Sequence, residues 1–231
     1  MRSDICVIIP TIRTYDRMKS YFENARNHGF DLDRLFVLLV TEDDCDVSGM
    51  KQMLDTAGVD GAVYDETRRE AWFDAHELSQ YIHLIPAKSH AQTSFGLLYL
   101  WANEQFTQGF FIDDDTRPHS EWDFFARHLH NLDRTDAIES VHSDERWVNV
   151  LYQDIDNHGL YPRGYPYSAM NETIETGQHQ LTDVVASQGL WTDVPDLDAV
   201  RILMDGDLHG QAQTRTKQSH FDGDFIAAPG Q

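Results

Sequence analysis

Gly109-Phe110-Phe111-Ile112-Asp113-Asp114-Asp115 is a short apolar run that ends in three consecutive acids. The run has the length and character of a short buried strand, and the acids precede Thr116-Arg117-Pro118. Three carboxylates at the carboxyl end of such a strand repel one another, and desolvation adds to the cost. A hard cation offsets both terms, because Mg²⁺ and its relatives take oxygen ligands and share them with substrate phosphates. An Asp-x-Asp sequence directly after a strand therefore points to a metal-bridged diphosphate. Side chains alternate along extended backbone, so Asp113 and Asp115 are expected to face the ligand and Asp114 to point away. A solvated turn in an Asp-rich chain is the competing reading, but a solvated turn needs no strand in front of it.

Working outward, Ile5-Cys6-Val7-Ile8-Ile9 is a β-branched run closed by Pro10, and Leu35-Phe36-Val37-Leu38-Leu39-Val40 is a second apolar run. Both read as buried strands. Helices are expected over residues 15–27 and 47–60, the latter with turns at Gly58 and Gly61. The span 64–80 reads as irregular or helical. A further helix should follow Lys88-Ser89, capped by Ser89, with Phe95, Leu98 and Trp101 on one face. Another is expected over 120–132, opened by Ser120 and Asp123. Strands should dominate after that, notably over 147–152. Alternation of strand and helix through residue 132 predicts an open α/β sheet. Such sheets bind ligands beyond the carboxyl ends of their strands. Arg13, Glu42 and Asp113 each follow a strand, so they should line one rim, and that convergence argues for a nucleotide site.

Composition narrows the function classes. The chain has 231 residues and a net charge of −21. Asp outnumbers Glu 28 to 11, and only 4 of the 18 basic residues are Lys. That skew suits a protein of a high-salt cytoplasm, where screening mutes self-repulsion, with an ordinary acidic enzyme as the competing reading. No clustered Lys and Arg are available for a nucleic-acid backbone, so nucleic acid is excluded as a partner. An anionic ligand would instead need a metal and a few local Arg. The two cysteines, Cys6 and Cys45, lie near apolar runs and suggest small buried residues in a reducing compartment. No apolar stretch approaches the ~18 residues of a membrane helix, and Met1-Arg2-Ser3-Asp4-Ile5 lacks a signal-peptide pattern. A cytoplasmic location without membrane attachment is expected.

Four segments together resemble the reversibly glycosylated polypeptide family, whose members include UDP-arabinopyranose mutases. They are Val7-Ile8-Ile9-Pro10-Thr11-Ile12-Arg13, Phe111-Ile112-Asp113-Asp114-Asp115, Arg163-Gly164-Tyr165-Pro166-Tyr167-Ser168, and Ser187-Gln188-Gly189-Leu190-Trp191 with Val194-Pro195-Asp196-Leu197-Asp198-Ala199. The first two are shared by many glycosyltransferases; the last two are more specific. The resemblance covers nearly the whole chain. It implies a glycosyltransferase-A-like α/β fold with an open mixed sheet flanked by helices, a UDP-sugar ligand and Mn²⁺ or Mg²⁺ as cofactor. It also implies interconversion of the pyranose and furanose forms of UDP-arabinose, and glycosylation of the arginine at Arg163. Family members continue past the point matching Gln231, so the chain is expected to be the amino-terminal portion of a longer protein. A homo-oligomer is expected by the same analogy. Residues 1–231 would form a single domain, with 1–132 the nucleotide-binding half and 133–231 the sugar and acceptor half.

The candidate site follows from both lines. Asp113 and Asp115 are the metal candidates, with Asp113 also near the nucleotide. Pro10, Thr11 and Arg13 would hold the base and ribose end. Glu42 and Asp44 follow the second strand, where this fold sets an acid against uracil, although a solvated acidic surface explains them as well. Lys88 matches a lysine of the family and would contact phosphate. Arg163 is the catalytic candidate, as a diphosphate clamp or as the covalent acceptor. Guanidinium is a poor nucleophile, so covalent attachment would need a carboxylate to take its proton and a strongly electrophilic anomeric carbon. Tyr165, Gly189 and Trp191 would form the sugar side. The reading as a mutase competes with a metal-dependent glycosyltransferase and with a non-catalytic nucleotide-sugar-binding or assembly subunit.

Overall fold

A computed structural model of the chain describes residues 3–13, 17–144, 146–149, 160–170, 172–189, 198–205, 219–221 and 226–227. The chain divides into two compact units, Met1–Arg127 and His128–Gln231.

The first unit is an α/β layer structure. Its strands are β1 (Ile5–Pro10), β2 (Leu35–Val40), β3 (Asp60–Tyr64) and β4 (Gln108–Phe111), and its helices begin with α1 (Met18–His28), α2 (Val47–Ala57), α3 (Glu66–Ala75) and α4 (Gln92–Ala102). The four strands form one parallel sheet in the order β3-β2-β1-β4. A parallel sheet needs both faces covered, and the near-continuous apolar runs of β1 and β2 meet that need. Cys6, Ile8, Leu38 and Val40 pack with Trp72 and Phe73 of α3 and with Phe95 of α4. Side-chain alternation sends Ile5, Val7 and Ile9 to the opposite face, and all three are buried. There α1 buries Met18, Tyr21, Phe22 and Ala25, and α2 buries Met50, Met53 and Leu54. Gly96 lets α4 lie close on the sheet, because a Cβ there would run into Ile8.

The open α/β fold flanked by helices agrees with the expectation and is consistent with a glycosyltransferase-A-like sheet. Several local expectations change. Strand β3 lies where the sequence suggested only a turn. It is short, half-exposed at the sheet edge and contains Gly61, so it has little of the apolar signature of β1 and β2. Ser89 does not cap α4. Its hydroxyl donates to the Pro86 carbonyl and accepts from the Ala91 N–H, which closes a turn one step earlier. The buried face of α4 carries Gln92, Phe95 and Gly96, while Trp101 is 81% exposed. The next helix, α5 (Phe124–Leu132), starts at Asp123, whose carboxylate accepts from the Ala126 N–H. Phe125 of α5 packs against Phe110 of β4 and Phe30.

The second unit is built on β5 (Ala137–Ser143), β6 (Trp147–Val148), β7 (Ile174–Gln180), α6 (Ala199–Asp205), β8 (Ser219–Phe221) and β9 (Ile226–Ala227). Strand β5 pairs antiparallel with β7 and parallel with β8, and β6 pairs with β9. Its apolar cluster is aromatic: Tyr161, Tyr165, Ala169 and Met170, with Trp147 against them.

Candidate functional site

In the first unit the strand order reverses between β1 and β4, since the chain runs outward from β1 to β3 and then returns to the other side of β1. A crevice at the carboxyl ends of the strands is expected at such a reversal. The residues that follow β1 and β4 meet there. The ladder continues one step past the strands, with the Thr11 N–H on the Val40 carbonyl and the Ile112 N–H on the Ile8 carbonyl. The Thr11 hydroxyl donates to Asp114 Oδ2 at 2.7 Å and accepts from the Arg13 N–H at 3.1 Å. Arg13 Nη1 lies 3.7 Å from Asp114 Oδ1, with its side chain 62% exposed against 16% for Asp114.

Asp114 was expected to point away, and it is instead the acid of the triplet that ties β4 to β1. Strand alternation stops at Phe111, and Asp114-Asp115 already sit in a turn. The turn residues Thr116-Arg117-Pro118 carry the signal that extended backbone does not run through the triplet. Asp113 and Asp115 are exposed. Helix α1 fixes the same loop: Arg17 donates to the Asp115 carbonyl at 2.6 Å, and Tyr21 Oη lies 2.6 Å from Thr116 Oγ1. Burial, with the charges of Asp113 and Asp115 nearby, pushes the Tyr21 phenol up to about 12. Asn24 donates to the carbonyls of His119 and Trp122 and accepts from the Phe124 N–H. Nothing in the sequence marks Arg17, Tyr21 and Asn24 as loop anchors beyond their spacing on one helix.

The rim continues past β2. Glu42 is 1% exposed. Its Oε1 accepts from the Lys88 N–H at 2.7 Å and from Gln92 Nε2, and its Oε2 lies 3.6 Å from Arg69 Nη2. Arg69, itself buried, donates to the Thr41 carbonyl just past β2 and to the Tyr64 carbonyl at the end of β3. Glu42 was expected to be open to uracil, but its place is inside this hydrogen-bond set. Asp43 accepts from the backbone and hydroxyl of Thr67 in the first turn of α3, and these bonds hold its carboxyl below the usual range. Asp44 remains exposed and pairs with Lys88 Nζ at 3.5 Å. Lys88 has a left-handed backbone, φ 53°. Pro10 ends β1 in register with Val40.

The sugar-side candidates lie in the second unit. Pro162-Arg163-Gly164-Tyr165 is a tight turn closed by the Tyr165 N–H on the Pro162 carbonyl at 3.2 Å. Gly164 takes φ 85°, the conformation a type II turn requires at that position. The exposed Arg163 therefore stands at a corner. Tyr165 is buried, with its hydroxyl donating to Glu172 and its ring beside Tyr161 and Trp147. It acts as core here, not as an open sugar platform. Gly189 is exposed beside His128, and Ser187 two residues earlier bonds His128 Nδ1 at 2.8 Å and Asn131 Nδ2 at 2.9 Å. Trp191 lies outside the described residues.

The donor chemistry of Asp113 and Asp115 suits a hard cation. Among the described residues no group of three or more His, Cys, Asp or Glu is arranged to hold a metal. A cation here would need its shell completed by phosphate oxygens and water, which is the ordinary habit of Mg²⁺. Among the described residues, no helix is long and apolar enough to cross a membrane. No protein-family model matches this chain, and no curated protein matches it.

Proposed function

We propose that the rim between β1 and β4 binds a UDP-sugar together with Mn²⁺ or Mg²⁺, and that the protein is a mutase interconverting the pyranose and furanose forms of UDP-arabinose or a related UDP-sugar. The observation that supports this reading most is the meeting of Thr11, Arg13 and Asp114 at the point of strand reversal, with Asp113 and Asp115 exposed on either side. Asp113 and Asp115 would hold the cation. When bound, the cation supplies positive charge that offsets the diphosphate and favours departure of UDP. Arg13 is held only at 3.7 Å by Asp114 and is mostly exposed, so its guanidinium is available to turn toward a phosphate. The Thr11 hydroxyl, committed to Asp114, fixes the loop that presents Arg13. The exposed Lys88 ammonium is a second cation on the same rim. By the family resemblance, Arg163 is the residue that would carry sugar.

The test is thermal unfolding with UDP, with Mn²⁺ and with both, followed by chromatography of products from labelled UDP-arabinose. Ligands that bind only the folded state raise its stability. Stabilisation by the pair but by neither alone, with isomerised UDP-arabinose as product, supports the proposal. Net consumption of donor with a glycosylated product would replace the mutase by a transferase, and no stabilisation by any combination would remove the nucleotide-sugar site.

A further inference from the structure

Aspartate and glutamate make up 39 of the 231 residues, yet the interval 78–103 holds neither. No other interval of that length in the chain lacks them. It carries one lysine, Lys88, and two histidines, His83 and His90, and it folds into a 3₁₀ helix at Ser79–Leu84 and then α4. After its first turn α4 is apolar throughout, from Phe95 to Ala102. A helix of that kind is ordinarily covered on every side. Here Gln92, Phe95 and Gly96 are buried, while Leu98, Tyr99 and Leu100 are half-buried and pack on the same core cluster as Phe95. The side left over carries Leu97, 52% exposed, and Trp101, 81% exposed. They are one turn apart and adjacent on the helix surface. In the preceding 3₁₀ helix Tyr81 and Leu84 are exposed as well, and side chains three apart eclipse there.

We propose that the Leu97 and Trp101 face of α4 is the contact between two copies of this chain. An exposed patch of tryptophan and leucine without charge has the composition of an interface core, where tryptophan is a frequent anchor. Charge selects the occupant. Each copy carries −21, so two copies repel wherever their acidic surfaces meet. The interval 78–103 is where they can touch without setting carboxylate against carboxylate. A basic partner would be drawn instead to the acids elsewhere on the chain, and an anionic bilayer would be repelled. An uncharged apolar patch is matched by a second one, and a two-fold axis beside α4 supplies it. Helix α4 then lies against its own copy, with each Trp101 over Leu97 of the partner subunit.

The patch is small. A stable complex buries about 800 Å² on each partner. Even with Tyr81 and Leu84 included, two aromatics of at most about 150–250 Å² each and two leucines fall short of that. The dimer is therefore weak, roughly micromolar, and below its dissociation constant Trp101 stays open to solvent. Salt separates this contact from one built on matched charges. The α4 face holds no ion pair to screen, whereas the surrounding acids repel across the two copies, beginning with the exposed Glu77 and Glu104 at either end of the interval. Raising ionic strength cuts the reach of that repulsion from about 10 Å at 0.1 M to about 3 Å at 1 M, and so tightens the dimer. A contact made of opposite charges would loosen instead. Dimerisation through α4 is independent of what the rim between β1 and β4 binds.

The test is sedimentation velocity of the whole chain over a wide range of protein concentration, at about 0.1 M and about 1 M NaCl. The expected result is a monomer–dimer equilibrium that moves toward dimer at the higher salt. Trp101→Glu and Leu97→Glu should each raise the dissociation constant by roughly tenfold or more. Val185→Glu, at a 92% exposed valine of the second unit, should leave it little changed. All three sites are exposed, so thermal midpoints of the dilute variants should stay within about 2 °C of the parent, which shows that the fold is kept. A monomer at every concentration and both salts overturns the proposal. So does a dimer that keeps its parental strength in Trp101→Glu and Leu97→Glu, or one that dissociates as salt rises. Flotation of a protein that is monomeric in water with phosphatidylcholine vesicles would give the face to a bilayer and overturn it as well.

Discussion

Thr11 and Asp114 are 103 positions apart in the chain and are joined by a 2.7 Å hydrogen bond from hydroxyl to carboxylate. The bond ties the loop after β1 to the loop after β4, where the strand order reverses. A hydrogen bond to a charged, largely buried acceptor contributes about 1.5–3 kcal/mol. Thr11→Val and Asp114→Ala should each lower the stability to urea by roughly 1–2 kcal/mol. The double variant should lose less than the sum, because both changes remove the same bond. Additive losses would mean that the two side chains are not coupled.

Asp113 and Asp115 lie on either side of that bond and are exposed. If they hold the cation of a UDP complex, Asp113→Ala and Asp115→Ala should each abolish the stabilisation by UDP with Mn²⁺. The unliganded midpoint should stay within about 2 °C, as exposed substitutions rarely exceed ~0.5 kcal/mol. Differential scanning fluorimetry of the three proteins with and without ligand decides the matter. Undiminished stabilisation in both variants would place the cation elsewhere.

Gly96 gives a prediction whose sign is contested by two effects. In a helix interior Ala is favoured over Gly by about 1 kcal/mol. Here the new methyl would run into Ile8 of β1, in a parallel sheet with little freedom to yield, and overpacking costs about 1–3 kcal/mol. Gly96→Ala should therefore destabilise the protein in urea titration, and Gly96→Ala combined with Ile8→Leu, which removes the branching Cγ2 that the new methyl meets, should recover part of the loss.

Asp136 in the second unit forms a two-point pair with Arg134, at 2.8 and 2.6 Å. The pair holds the Asp136 carboxyl down to about 2. A lowered folded-state pKa contributes stability that is present above the unfolded value, about 3.9 for Asp. It disappears as pH falls through the folded value. Asp136→Asn should thus flatten the acid limb of the stability curve between about pH 4 and pH 2 and leave the difference from the parent constant above it. A carboxyl titration of Asp136 by NMR at an ordinary value would contradict this.

Much of the first unit is legible from residue pattern because its strands are buried on both faces. Runs such as Ile5–Ile9 and Leu35–Val40 have no other comfortable environment, and the acids that follow them mark the rim. Strand β3 escapes this reading, since an edge strand with glycine and a half-exposed face has no such pattern. Asp114 escapes it for a similar reason: strand alternation ends at Phe111, and Asp114 and Asp115 sit in the turn beyond it. Glu42 and Asp44 look alike in the sequence, yet one is buried and the other exposed. The difference is made by Arg69, which reaches back from α3 to close the ends of β2 and β3, and a contact across 27 positions leaves no local trace. The tight turn at Arg163-Gly164 could be read directly, whereas the burial of Tyr165 depends on Tyr161, Trp147 and Glu172 gathering around it.

The unequal settings of two indoles give the first unit its own optical reporters. Trp101 stands 81% exposed on α4, while Trp72 is 7% exposed and stacked on His76 at 3.8 Å. Iodide in solution should extinguish the long-wavelength emission of the former and leave the blue-shifted emission of the latter. With Trp122, Trp147 and Trp191 replaced by phenylalanine, light alone can then follow α3 and α4 separately.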